Sequence, residues 1–80
     1  MALSDKEKKE RGKFNLRLGD HIRSIRLSKD ISAAELARLC FMDKPNLLGI
    51  EKGRVNTSIF ILHKIAVALD LSLEELFRGF

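Results

Sequence analysis

The chain has 80 residues, enough for one small domain but not for two. It carries 15 lysines and arginines against 11 acidic residues, a formal net charge of +4. The single cysteine excludes an internal disulfide, and no apolar run approaches the ~20 residues that span a bilayer. These features predict a cytoplasmic chain without a membrane span. The core is too small for a deep substrate pocket, so we expect no small-molecule ligand and no cofactor.

Residues 1–13 are polar and dense in charge, and we interpret them as a flexible basic N-terminal arm before a domain over residues 14–80. Six basic and three acidic residues fall in residues 1–17, which therefore hold +3 of the total +4. A basic arm on a nearly neutral body suits a polyanionic partner, although a simple solvated tail explains the same pattern. Ser4 and Glu7 have capping-box spacing, so a short helix is an alternative for this segment.

From Phe14 onward the apolar residues recur at helical spacing, which predicts five short helices and no strand. The first helix has one apolar stripe: Phe14, Leu18, Ile22 and Ile25. Asp30 and Ile31 interrupt it, and Ser32 with Glu35 forms a capping box that starts the second helix. The predicted inward face of the second helix is Leu36, Leu39 and Cys40.

Asp43 is the predicted N-cap of the third helix, and Pro45 falls in its first turn. Leu47 and Ile50 mark its core side, and Gly53 marks its end. The fourth helix follows Ser58 with several apolar residues available for burial: Phe60, Leu62, Ile65, Ala66 and Leu69. The fifth opens with a capping box at Ser72 and Glu75 and carries Leu73, Leu76 and Phe77.

The second and third helices, with the turn between them, span residues 32–52. Two short helices joined tightly are the device that places one helix in the DNA major groove while the other crosses the backbone. Three segments add to this geometry: LGDHIRSIRLSKDISAAELARLC (18–40), NLLGIEKGRVNTS (46–58) and ILHKIAVALDLSLEELF (61–77). In order and spacing they resemble the Xre-type family of lambda-repressor and Cro-like helix-turn-helix domains.

The resemblance covers Leu18 to Phe77 without gaps. It implies an all-α, five-helix lambda-repressor-like fold and a transcription regulator that binds double-stranded DNA as a homodimer, of bacterial or phage origin. A prophage-type repressor, a restriction-modification controller and an antitoxin all remain open. A protein-interaction module on the same scaffold is the alternative from another class.

By this resemblance, the helix over residues 43–52 enters the major groove. The predicted base contacts are Lys44, Pro45, Asn46, Leu48 and Gly49. Asn46 is the best candidate, because its amide can pair bidentately with adenine; capping of local backbone is the other role open to it. Leu48 could contact a thymine methyl group or be buried.

The resemblance also implies residues that hold the DNA backbone and the helices. The predicted phosphate contacts are Ala33, Lys52, Arg54, Asn56 and Thr57. Arg26 and Glu51 are expected to form an ion pair between the first and third helices. Apolar residues near the end of the chain suggest a dimer contact: Leu76, Phe77 and Phe80.

Three positions depart from the family pattern. Phe41 stands where the turn usually has glycine, which predicts backbone strain. Ala33 replaces a common glutamine, and Gly49 replaces a long base-reading side chain, so recognition is expected to depend more on DNA shape.

Other chemistry finds little support in the sequence. His21, His63 and Cys40 lack metal-ligand spacing, and Cys40 is interpreted as a small core residue. We therefore expect no metal site and no enzyme activity.

Overall fold

The structure is a computed structural model that describes residues 2–80. It contains five helices and, within those residues, no strand: α1 Asp5–Ser28, α2 Ala33–Leu39, α3 Lys44–Glu51, α4 Ile59–Ala68 and α5 Leu73–Phe77. The predicted all-α, five-helix architecture is confirmed. α3 packs against both α1 and α2, while α4 contacts α2 and α5.

Serine hydroxyls cap four of the five helices, each accepting a hydrogen bond of 3.0–3.1 Å from the backbone N–H three residues later: Ser4, Ser32, Ser58 and Ser72. The Glu7 and Glu75 carboxylates accept hydrogen bonds from the backbone N–H groups of Ser4 and Ser72, so both capping boxes are complete. The predicted box at the second helix is only half formed. Its Glu35 carboxylate binds the Arg38 guanidinium instead, at 2.6 and 3.1 Å.

The core draws on every helix and lies between α1, α3 and the α2–α4–α5 group. Its buried apolar residues are Leu18, Ile22, Leu36, Ala37, Cys40, Leu47, Ile50, Leu62, Ile65, Ala66, Leu69 and Leu76. The prediction that Leu39 faces the core is wrong, because α2 turns Ala33, Leu36, Ala37 and Cys40 inward at i, i+3, i+4, i+7 spacing. Leu39 is consequently 39% exposed.

The N-terminal segment is helical from Asp5. α1 begins at Asp5 and passes without a break through the predicted boundary between residues 13 and 14, which therefore lies inside a helix. The Ser4–Glu7 capping box supplies the start signal. Residues 5–13 carry the charges that the sequence analysis assigned to an arm, now arranged on a helix.

The chain end folds back onto α1. Leu76 is completely buried and Phe77 and Phe80 are partly buried. The Phe80 ring meets Phe14 edge-on with centroids 5.4 Å apart, and His21 Nε2 lies 2.6 Å from the Leu76 carbonyl oxygen, to which it donates. Leu76 as a dimer contact is therefore wrong: its side chain fills the core of its own protomer and is unavailable to a second one.

Candidate nucleic-acid interface

The third helix has one buried and one exposed side. Leu47 and Ile50 face the core, at 0% and 7% exposure. Lys44, Pro45 and Asn46, in its first turn, are exposed. The predicted contact residues of the first turn are thus all accessible to solvent, on a helix that Leu47 and Ile50 anchor to the core.

Farther along α3 the predicted contact residues differ in their exposure to solvent. Leu48 and Gly49 are half-buried, whereas Lys52 at the C-cap is exposed. A methyl group added at Gly49 would lie 3.6 Å from Val55 Cγ1, an ordinary van der Waals distance. The surface beside Gly49 is therefore open enough for a larger group to approach.

A buried ion pair fixes the end of α3 to α1. Arg26 Nε donates to Glu51 Oε2 at 2.7 Å and Arg26 Nη2 donates to Glu51 Oε1 at 2.9 Å, in a bidentate fork. The third guanidinium nitrogen, Nη1, donates to the Ile31 carbonyl oxygen at 2.8 Å. The hydrogen bonds that Arg26 donates to Glu51 raise the pKa of Arg26, against the opposing effect of burial. One arginine thus ties α1, the approach to α2 and the end of α3 together.

The turn between α2 and α3 contains the strain that the sequence predicts. Phe41 has φ +55° and its side chain is 90% exposed. The turn thus keeps the left-handed backbone that usually requires glycine, although Phe41 has a Cβ that strains this conformation. Asp43 occupies the N-cap of α3 with extended backbone, but its side chain makes no capping bond.

The loop after α3 is held tightly against α1. Gly53 has φ +69°, and a Cβ there would lie 2.6 Å from Leu16 Cα, so both conformation and space require glycine. Asn15 Nδ2 on α1 donates to Asn56 Oδ1 at 3.4 Å. Two of the predicted phosphate contacts, Arg54 and Asn56, are exposed on this loop.

The remaining predicted phosphate contacts differ in accessibility. Thr57 is half-buried where the loop enters α4, and Ala33 is half-buried in the first turn of α2. Exposed cations at both ends of α3 have no ion-pair partner within residues 2–80: Lys44, Lys52 and Arg54. Arg38, by contrast, is paired with Glu35, whose pKa the guanidinium lowers. Three free cations therefore lie at α3 and the loop after it.

A groove of about 320 Å³ runs beside the exposed face of α3. Its lining joins α3, the following loop and the start of α4: Met42, Asn46, Ile50, Val55, Asn56, Thr57, Ser58 and Ile61. Sequence reasoning missed the groove and the Asn15 contact, because their members come from separate segments that no local spacing connects.

No three His, Cys, Asp or Glu side chains of residues 2–80 lie close enough together to hold a metal ion. Within the same residues, no helix combines the length and apolar character needed to cross a membrane.

A pair of short helices such as α2 and α3, in which the second helix packs on the core and leaves its other side exposed, defines the helix-turn-helix class of DNA-binding proteins. The helix-turn-helix family model HTH_3 matches residues 22–76, and the chain belongs to this family. The chain is a DNA-binding transcription regulator, and the predicted Xre-type kinship is confirmed.

Several individual proteins are similar to it. The control protein C.MunI of a Mycoplasma species is 33% identical over 65 residues, which cover 80% of this chain and 88% of that protein. The crystal structure of the restriction-modification controller protein C.AhdI from Aeromonas hydrophila has a TM-score of 0.74 and 35% identity, covering 78% of this chain and 94% of that one. The clp gene regulator ClgR from Corynebacterium glutamicum has a TM-score of 0.76 and 28% identity, covering 80% and 68%.

Proposed function

We propose that the protein binds operator DNA as a dimer, with α3 of each protomer in the major groove. The observation that carries this proposal is the way α3 is mounted: Leu47 and Ile50 pack into the core, while Lys44, Pro45 and Asn46 of its first turn are exposed. A helix so fixed can enter a groove without rearrangement. The groove of B-DNA is about 12 Å wide, which admits one helix with its side chains.

Within the groove, Asn46 reads adenine through its amide, and Lys44 reaches guanine acceptors or a phosphate. Pro45 and Gly49 present small surfaces that let the backbone approach base edges, and Leu48 is exposed enough to touch a thymine methyl group. With only two polar side chains of this kind on α3, the sequence-dependent shape of the DNA supplies the rest of the discrimination.

The backbone contacts flank this helix. The cations of Lys52 and Arg54 and the amide of Asn56 lie exposed after α3, where they suit phosphate oxygens. Ala33 and Thr57 contribute through the backbone and hydroxyl groups that begin α2 and α4. The Arg26–Glu51 ion pair keeps the base-contacting residues of α3 at a fixed distance from the phosphate-contacting residues around it.

For the dimer contact, the exposed face of α4 replaces Leu76. Ile59, Phe60 and Val67 are 69%, 67% and 61% exposed and share one side of the helix with His63. Burying such a face against its symmetric copy removes apolar surface from water on both protomers. A two-fold dimer binds half-sites whose centres lie about 34 Å, or one DNA turn, apart.

Among regulators, the controller of a restriction-modification system receives the most support. C.MunI and C.AhdI are both control proteins, and the chain spans 88% and 94% of their lengths. A prophage repressor or an antitoxin has no comparable support here. These two proteins come from bacteria, which supports the bacterial cytoplasm as the site of action.

Selection of bound sequences from a random DNA pool tests this function. The expected product is an inverted repeat with half-sites one helical turn apart, bound with an affinity that falls as salt rises. An absence of enrichment would refute operator binding and favour the protein-interaction module. Ala33 and Gly49 are the positions that favour this alternative, because each lacks a polar side chain that relatives use to contact DNA.

The dimer contact is tested by sedimentation of two matched variants. Phe60→Asp places a charge in the α4 face and is expected to yield monomers and weak operator binding. Phe41→Asp removes an equally large exposed phenyl ring from a different surface and is expected to leave the dimer intact. Dimers of equal stability in both variants would refute the α4 contact.

A further inference from the structure

We propose that the first turns of α1 form an additional contact with the DNA backbone, through Lys8 and Arg11. This contact would widen the stretch of duplex that each protomer binds, beyond the helix-turn-helix itself. The proposal rests on the proposed function, because it assumes that α3 and the loop after it face a duplex.

The start of α1 projects beyond the folded body. α1 has 24 residues, about 36 Å at 1.5 Å per residue, and the longest extent of the molecule is 38 Å. Its first buried residue is Leu18, and residues 5–13 are exposed except for the half-buried Gly12. No core contact explains why this segment continues as a capped helix. A helix that is polar all round serves a solvent-facing or bridging role.

The direction of the projecting part follows from helical spacing. Lys8, Arg11, Asn15, Leu18 and Ile22 are separated by three or four residues and therefore share one face of α1. At Leu18 and Ile22 this face enters the core. Beyond the core, the same face changes from apolar to cationic.

Asn15 marks the point where this face meets the loop after α3. Its amide donates to Asn56, one of the residues proposed to contact phosphate, and the loop backbone at Gly53 packs on Leu16. Counted along the helix axis, Arg11 lies about 6 Å and Lys8 about 10 Å beyond Asn15. Both cations thus continue the surface of the phosphate-binding loop in a straight line.

The two cations are also available. Neither Lys8 nor Arg11 has an ion-pair partner within residues 2–80. Glu7, the acidic neighbour, accepts the Ser4 backbone N–H at 3.0 Å in the capping box, and this bond lowers its pKa. Unpaired ammonium and guanidinium groups in line with phosphate-contacting residues suit the next phosphates of the same duplex.

The test compares two variants with equal loss of charge. Lys8→Gln/Arg11→Gln neutralises the face in line with Asn15, whereas Lys6→Gln/Lys9→Gln neutralises the opposite face of the same turns. All four positions are exposed, so both variants should keep the fold, and their thermal unfolding is compared with that of the parent. Binding to the selected operator is measured by fluorescence anisotropy between about 50 and 200 mM salt, the range over which phosphate contacts dominate the change.

Loss of two phosphate contacts is expected to reduce the slope of log affinity against log salt by about 1.8 in Lys8→Gln/Arg11→Gln. Relative to the parent, this variant would be weakened about 12-fold more at the low-salt than at the high-salt end of the range. Its hydroxyl-radical footprint would lose protection at the outermost backbone positions, and Lys6→Gln/Lys9→Gln would keep it. Equal slopes and footprints in the two variants would overturn the proposal while leaving operator binding intact. Failure of the parent protein to bind any duplex would overturn both.

Discussion

The buried ion pair between Arg26 and Glu51 allows a quantitative test of how α3 is held. The two side chains are 7% and 1% exposed and share a bidentate contact. Glu51→Ala would leave a buried guanidinium with only the Ile31 carbonyl as a partner. Removing one member of such a pair costs about 3–5 kcal/mol, because the remaining charge is desolvated and uncompensated.

This cost is large for so small a domain. At about 0.05–0.15 kcal/mol per residue, 80 residues give a free energy of unfolding of about 4–12 kcal/mol. We expect Glu51→Ala to remove roughly half of it and to lower the Tm by more than ~10 °C. Urea unfolding followed by helical circular dichroism measures the change.

Two further variants make the reasoning refutable. Replacing both partners, Arg26→Met/Glu51→Leu, should restore stability to within about 1 kcal/mol of the parent or above it, since no charge is left buried. Glu35→Ala breaks the exposed pair with Arg38 and should cost less than about 1 kcal/mol. If Glu51→Ala cost no more than Glu35→Ala, or if the double replacement were as unstable as the single one, the argument from burial would be wrong.

Three other predictions follow from the described contacts. Asn46→Ala should reduce, by about 1–3 kcal/mol, the discrimination between the operator and a site in which the contacted adenine is replaced. Competition anisotropy should show unchanged binding to random DNA, and an equal loss on both DNAs would contradict base contact. Phe41→Gly should raise the free energy of unfolding by about 0.5–1 kcal/mol, because relief of ~1–2 kcal/mol of left-handed strain exceeds the ~0.5–1 kcal/mol cost of added backbone entropy. Phe41→Ala keeps the strain and should show no rise in Tm in thermal unfolding. Ser72 holds the pKa of Glu75 below its usual range, so this capping box stabilises the fold fully above about pH 4.3 and loses its effect as pH falls through the lower folded pKa; Glu75→Gln should flatten that acid limb in urea titrations, and an unchanged limb would count against it.

Local signals were sufficient to place α2 to α5, whereas the start of α1 was predicted only as the alternative to a flexible arm. Each predicted serine cap is present, since a side-chain oxygen three residues before a free N–H is a local device that tertiary packing rarely overrides. The inward face of α2 was less predictable. Ala37 and Leu39 are two residues apart and point to different sides of α2, and the choice between them depends on how α2 is rotated against the helices it packs on, which seven residues of sequence do not determine.

The exposure of the candidate site residues was predictable where one helix supplies them, whereas contacts between separate segments were not predictable. The core spacing of Leu47 and Ile50 was enough to place Asn46 on the outside of α3. The link from Asn15 to Asn56 joins residues 41 apart in sequence, and nothing in either neighbourhood indicates it. Leu76 was misassigned because an apolar residue near a chain end has the same local pattern whether it completes the core or a partner's surface.

Gly49 has a consequence for how this regulator could change its target. A Cβ added there would lie at an ordinary contact distance from Val55 Cγ1 and would not clash. A glutamine or arginine introduced there would extend outward without disturbing Leu47, Ile50 or the ion pair that anchors the helix. Under the proposed function, a single substitution at Gly49 would therefore add a base-reading side chain to α3 and change the preferred operator without a change in the fold.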